Sequence, residues 1–206
     1  TGAVLTFAST PTYDPNPFVN GIDPASYAAL RDNKDKPLLN RALNGQYAPG
    51  STIKGFLGLA ALAAGESPAK QIVCPGWYSL PGSSHRYRDW KPEGHGSVSL
   101  YEGLEQSCDV YFYGLARDLG IERMGGFMRE FGLGASTGID LEGEQPGVVP
   151  SPAWKKKAFK RREAQVWFPG ETVIAGIGQG YMLTTPLQLA HAAATIAARG
   201  KRRKPT

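Results

Sequence analysis

Residues 53–64 form an apolar, alanine-rich run interrupted only by Lys54, entered through Pro49-Gly50 and stopped by Gly65. A turn signal, an apolar run of that length and a terminal glycine together predict one buried helix. Its first turn carries Ser51 and Lys54. Positions i and i+3 share a helix face, so a hydroxyl and an amine meet there without any tertiary contact. Ser51 also falls at the helix start, where unpaired backbone N–H groups and the macrodipole favour developing negative charge. A serine is a poor nucleophile until a base takes its proton, and a desolvated neutral lysine can do that. The pair points to serine acyl-transfer chemistry. The tetrapeptide alone also fits an ordinary helix start with a solvated lysine.

A second element separates these readings. Ser107-Cys108-Asp109 lies between two helix-like stretches. The first opens with the capping-box pattern Ser99-Leu100-Tyr101-Glu102, and the second ends at Gly120. Serine–lysine acyl-transfer enzymes follow S-x-x-K with S-x-N or S-x-D and then a K-[ST]-G strand. The second hydroxyl relays protons near the lysine, and the amide or carboxylate holds lysine and substrate. A third marker, Gly176-Ile177-Gly178-Gln179-Gly180-Tyr181, leads into Thr184-Thr185-Pro186.

Four segments carry a family resemblance. They are Ser-Thr-Pro-Thr-Tyr-Asp-Pro-Asn at 9–16, Tyr-Ala-Pro-Gly-Ser-Thr-Ile-Lys at 47–54, Arg-Tyr-Arg-Asp-Trp at 86–90 and Gly-Ile-Gly-Gln-Gly-Tyr at 176–181. In content and order they resemble the transpeptidase domain of class B penicillin-binding proteins, in its elongation-type form. The resemblance implies an α+β fold, a helical subdomain beside an antiparallel sheet. It implies peptidoglycan D,D-transpeptidase activity on D-alanyl-D-alanine stem peptides, with β-lactam antibiotics acylating the same serine. Ser51 becomes the nucleophile, Lys54 its base, Ser107 the proton relay and Asp109 the lysine partner. Asp109 departs from the commoner asparagine and marks the elongation subtype. A β-lactamase, a β-lactam-binding sensor and a D,D-carboxypeptidase are the competing functions; no E-x-x-L-N pattern surrounds Asp140, Glu142 or Glu144.

The resemblance also bears on extent and setting. No K-[ST]-G element precedes Thr206, and the family's membrane anchor and pedestal are not among these residues. Residues 1–206 are therefore expected to be a partial transpeptidase domain with two of three catalytic elements. The whole protein is expected at the periplasmic face of the inner membrane, anchored there. An elongation-complex glycosyltransferase and scaffold proteins are the implied partners.

Composition adds exclusions. The net charge of +5 comes largely from Lys155-Lys156-Lys157, Lys160-Arg161-Arg162 and the 201–204 run. No aromatic-interleaved basic motif accompanies these runs, so nucleic acid is not an expected partner. A solvated face, anionic lipid headgroups or acidic cell-wall polymer suit them better. Strands are expected at 3–9 and 173–177, and helices at 24–31, 51–64, 99–106, 110–119, 121–131 and 186–199. A short helix is expected around 154–159, and loops with short strands at 67–97.

Cys74, Asp89, His95 and Cys108 make a possible zinc set of two thiolates, an imidazole and a carboxylate. Their spacing matches no compact finger. Cys108 nonetheless lies inside the Ser107–Asp109 element, so a structural Zn2+ there would fix the loop that carries Ser107. A disulfide or two separate buried thiols are the other readings of the cysteines.

Overall fold

The computed structural model describes all of residues 1–206. Three helices, α1 (Asn16–Val19), α2 (Pro24–Arg31) and α3 (Arg41–Asn44), precede the nucleophile segment. A 3-10 turn at Gly50–Ile53 runs straight into α4 (Lys54–Ala63). Four short strands follow: β1 (Ile72–Cys74), β2 (Trp77–Tyr78), β3 (Tyr87–Arg88) and β4 (Gly96–Val98). Then come α5 (Leu100–Glu105), α6 (Asp109–Leu119), α7 (Ile121–Glu130), α8 (Pro152–Ala158), α9 (Pro169–Ala175) and α10 (Pro186–Ala197).

Helix α6 is the hub. Every residue from Val110 to Ala116 is buried, as is Leu119. A helix apolar on all sides must be surrounded, and α6 packs against α4, α7, α9 and β1. Ile53, Leu57, Phe112, Leu115 and Met124 are sealed in the resulting core. Each such side chain contributes roughly 1.5–3 kcal/mol by leaving water.

The strands form two nested antiparallel ribbons. β1 pairs with β4, with Ile72 opposite Val98 and Cys74 opposite Gly96. The β2–β3 hairpin lies within that loop, with Trp77 opposite Arg88. This nesting folds the 74–98 segment back on itself and carries Cys74, Asp89 and His95 to one place.

Two expected strands are absent. Residues 3–9 form no strand: Val4 N–H donates to Thr206 O at 2.8 Å and Thr206 N–H to Gly2 O at 3.1 Å, with no longer ladder. Leu5 is 94% exposed, so no apolar face supports pairing. Residues 173–177 belong mostly to α9, where Pro169 opens the helix and Glu171 accepts from Phe168 N–H at 2.9 Å. Those start signals outweigh the β-branched content of the Thr-Val-Ile run. Strands thus sit in the middle of the chain, not at its ends, and the α+β class holds. Helices α2, α5, α6, α7, α8 and α10 fall within a few residues of expectation, whereas the one-turn helices α1 and α3 were not expected. The nucleophile segment differs in one respect, beginning as a 3-10 turn before the α-helix takes over.

The end of α5 sets the position of Ser107. Ser107 N–H donates to Leu104 O at 3.2 Å and Cys108 N–H to Gly103 O at 2.9 Å. These are the two bonds of a Schellman motif, which places its C′ residue in the left-handed region. That residue is usually glycine; here it is Ser107, with φ +52°. A side chain there costs about 1–2 kcal/mol. Both Ser107→Gly and Ser107→Ala lose the hydroxyl, so their difference isolates the backbone. Denaturant melts should find the glycine variant more stable by about 1 kcal/mol; the reverse order would contradict a left-handed Ser107.

Candidate active site and metal cluster

Lys54 is 2% exposed, inside the first turn of α4, while Ser51 lies at the surface one turn earlier. Sequence spacing suggested a direct Ser51–Lys54 contact. The structure instead interposes Ser107. Lys54 Nζ donates to Ser107 O at 2.8 Å, Ser107 Oγ at 3.0 Å and Asp109 Oδ1 at 2.6 Å. Ser107 Oγ in turn lies 3.0 Å from Ser51 Oγ and donates to it. Three acceptors for three N–H groups is the geometry of an ammonium. Phe112 adds an aromatic face, its ring centroid 5.4 Å from Nζ. All four sequence-predicted catalytic residues therefore form one chain, Ser51–Ser107–Lys54–Asp109.

Neighbouring elements hold this chain in place. Gly50 N–H donates to Gly178 O at 2.9 Å, which docks the glycine-rich turn after α9 against the nucleophile loop. Gly178 has φ +69°, and a Cβ there would lie 2.3 Å from Gly50 O. Only glycine permits that approach. Trp90 Nε1–H donates to Gln106 O at 3.1 Å and so braces the residue before Ser107. Tyr113 Oη–H donates to Arg88 O at 3.1 Å, and burial pushes its phenol pKa up, keeping it a neutral donor.

Behind Ser107 lie the four metal-set residues. Asp89 Oδ2 is 3.4 Å from both Cys74 Sγ and Cys108 Sγ. His95 Nδ1 is 3.5 Å from Cys74 Sγ and 3.6 Å from Asp89 Oδ1. One ligand atom from each residue falls within 4.8 Å of all the others. Tetrahedral zinc with bonds of about 2.0–2.3 Å needs ligand–ligand edges of about 3.3–3.8 Å, and the short contacts match. The cysteines are unbonded to each other. His95 Nε2 is buried without a hydrogen-bond partner, so its local environment leaves one ring nitrogen unserved. The donor set and its spacing fit zinc.

Two pKa shifts describe the cluster. Burial alone would raise the Asp89 carboxyl, but hydrogen bonds from Val110 N–H, Lys91 N–H and the two thiols prevail and hold it below the usual range. Burial pushes the Cys108 thiol up, with Cys74 and Asp89 adding to the effect. A dry, metal-free cluster therefore keeps Cys108 as a thiol, and metal binding must displace its proton.

The 86–90 and 176–181 segments stood out in the sequence, but the contacts they make did not. The roles of Trp90 and Gly178 depend on partners 16 and 128 residues away along the chain. Buried Lys155 looked like one member of a solvated basic run. Its only clue was the aromatic-rich 154–168 surroundings. His85 and His191 join neither cluster: His85 packs on Tyr87, and His191 contacts Arg203 O.

Comparison with known proteins agrees with this geometry. The penicillin binding protein transpeptidase domain family matches residues 1–206. The peptidoglycan D,D-transpeptidase MrdA of Acinetobacter baumannii is 47% identical over 201 residues, covering 97% of this chain and 29% of that protein. The chain thus spans under a third of that relative's length. The crystal structure of Pseudomonas aeruginosa PBP2 in complex with WCK 5153 superposes with TM-score 0.93 at 49% identity, over 100% of this chain and 44% of that one. A Helicobacter pylori PBP2–MreC complex gives TM-score 0.90 at 40% identity, over 98% and 36% of the two chains. With the family matching residues 1–206 and the Ser51–Lys54 and Ser107–Asp109 elements joined in one hydrogen-bonded chain, the chain belongs to the penicillin-binding protein transpeptidase family.

Proposed function

We propose that the whole protein is an elongation-type peptidoglycan D,D-transpeptidase working through an acyl-serine intermediate. The Ser51–Ser107–Lys54–Asp109 chain is the observation that carries this reading. Ser51 Oγ attacks the carbonyl of the terminal D-alanyl-D-alanine bond. Its proton passes through Ser107 Oγ toward a neutral Lys54 Nζ, and Asp109, 2.6 Å from Nζ, is the group placed to receive the lysine's proton beforehand. The relay then protonates the leaving D-alanine amine as the C–N bond breaks. An amine of a second stem peptide attacks the ester, yields a new amide and returns a proton to Ser51. The Ser51 N–H lies in the first turn, where amides lack intrahelical acceptors, and supplies one oxyanion donor.

A β-lactamase would need a carboxylate to activate water at the acyl group. Glu144 instead accepts from Thr137 and Gly138 N–H groups at 2.6 and 3.1 Å and closes its own loop. The similarity to a PBP2 solved with MreC supports a scaffold partner, and the same reading includes an elongation-complex glycosyltransferase. On the transpeptidase reading the whole protein would work at the periplasmic face of the inner membrane. No helix in residues 1–206 is long and apolar enough to cross a membrane.

We propose further that Cys74, Asp89, His95 and Cys108 hold a structural Zn2+. A bound zinc would cross-link β1, the 89–95 loop and the start of α6, and would fix Ser107 from behind. His95 Nδ1, facing the sulfur and carboxylate atoms, is the ring nitrogen placed to ligate.

Intact mass of the full-length protein after β-lactam treatment should rise by one drug molecule, and Ser51→Ala should abolish the adduct. Lys54→Met should slow labelling by at least about 100-fold, the range of a lost general base. A protein that turns the drug over rapidly, or never takes it up, overturns the transpeptidase reading.

Native mass and elemental analysis should find one zinc per chain, bound more weakly as pH falls because thiols must lose protons. Cys108→Ala or chelation should lower Tm by about 5 °C or more, roughly 2 kcal/mol for a domain of this size. Metal-free protein with unchanged Tm and labelling refutes the site; a mass short of two hydrogens assigns a disulfide.

A further inference from the structure

A second pocket opens beside the 176–181 turn. It encloses about 350 Å³ and is lined by Tyr87, Phe168, Glu171 and Tyr181, with the backbones of Gly170 and Gly180. Gly170 is needed there: a Cβ would lie 2.2 Å from the Tyr87 hydroxyl. Both walls connect to the catalytic centre. Tyr87 packs on Tyr113 at 5.8 Å between centroids, in the helix that begins with Asp109. Tyr181 closes the turn whose Gly178 receives the Gly50 N–H beside Ser51.

Positive charge predominates around this pocket. Glu171, its only acidic lining residue, is already paired with Lys155, whose side chain is buried and also donates to Val166 O at 2.6 Å. The rings of Phe168, Tyr181 and Trp167 surround that ammonium at 5.2, 5.4 and 6.0 Å. The pocket thus makes no demand for a cation. Outside it, Lys156, Lys157, Lys160, Arg161 and Arg162 are all exposed, with Glu163 as the one nearby acid. Trp154 and Phe159 bind this strip to the pocket wall, packing on Tyr181 at 5.3 and 5.6 Å. Five exposed cations beside an aromatic pocket with phenol donors form a receptor for carboxylates on an extended chain.

We propose that this pocket and the 156–162 strip form a docking groove for a carboxylate-bearing stretch of the peptide substrate, on the turn that docks against the Ser51 loop. The proposal rests on the transpeptidase reading and adds a substrate class to it. The membrane surface is the competing occupant of the strip, and the test separates the two.

In the full-length protein, D-alanine release is measured with two peptides ending in D-alanyl-D-alanine, one with free side-chain carboxylates and one amidated. Wild type should show a KM at least about fivefold lower for the acidic peptide, a gap of about 1 kcal/mol. Added salt should erase the gap, and so should K160E/R161E/R162E, whose retained β-lactam labelling reports an intact fold. Equal KM values for the two peptides in wild type overturn the proposal without help from any variant. It is equally overturned if the variant keeps the KM gap but loses binding to phosphatidylglycerol vesicles, since the strip then serves the membrane. Wild type that takes no β-lactam adduct fails the transpeptidase reading first, an outcome distinct from labelled enzyme indifferent to peptide charge.

Discussion

A fully enclosed lysine ammonium organises this protein. Removing such a charge from water costs several kcal/mol unless close partners replace the lost hydration. The hydrogen-bonding replacement at Lys54 comes from the two ends of the Ser107-Cys108-Asp109 tripeptide: the carbonyl and hydroxyl of Ser107 and the carboxylate of Asp109. The start of α4 must therefore meet the start of α6. Ser107 must also turn its carbonyl and its hydroxyl to the same point. The left-handed backbone at Ser107 accompanies that double presentation, so the strain sits at the residue whose hydroxyl also reaches the nucleophile.

The same three residues explain why the catalytic chain and the metal set lie back to back. Cys108 has extended backbone angles, φ −65° and ψ 110°, as the N-cap of α6. It is flanked by left-handed Ser107 and by Asp109, the first residue of α6, and its side chain leaves on the side opposite theirs. Ser107 and Asp109 face Lys54, while Cys108 faces Asp89 and Cys74. Asp89 reinforces this by accepting from Val110 N–H at 3.0 Å, a free amide of the α6 start. Anything that moves Asp89 or Cys108 therefore moves Ser107 and Asp109, and the reverse holds too. That coupling gives a metal at this site a reason to matter, although it would touch no reacting atom.

Much of this was legible in the chain because its signals are local. The capping box at Ser99 and the C-cap at Gly120 each span one turn. What was not legible depends on long-range competition. The 173–177 run is β-branched, yet Pro169 and Glu171 recruit it into a helix that packs on α6. Residues 3–9 have strand composition, but their only backbone pairing is the single bond from Val4 N–H to Thr206 O. The direct Ser51–Lys54 contact was reasonable from helix geometry. It failed because Asp109, not visible as a neighbour in sequence, attracts the ammonium more strongly than a neutral hydroxyl can. Lys155 illustrates the same limit: three aromatic rings and Glu171 turn one lysine of a basic run into a core residue, while its neighbours stay in water.

The direction of the hydrogen bonds matters for how such a site reaches reaction. At rest, protons point from Lys54 to Ser107 and from Ser107 to Ser51. Activating Ser51 requires the opposite sense along the same path. The heavy atoms are already at transfer distance, 3.0 Å for each hydroxyl contact and 2.6 Å for the ion pair. Hydroxyl hydrogens rotate freely and are placed by their partners. Once Lys54 yields a proton, the Ser107 hydroxyl can turn toward Nζ and accept from Ser51 without any side chain changing rotamer. The scaffold thus leaves little reorganisation to the chemical step, which is where preorganised sites gain most of their rate. The strain at Ser107 and the burial of Lys54 therefore hold one geometry that serves both senses of proton flow, which is what the proposed two-step acyl transfer would need.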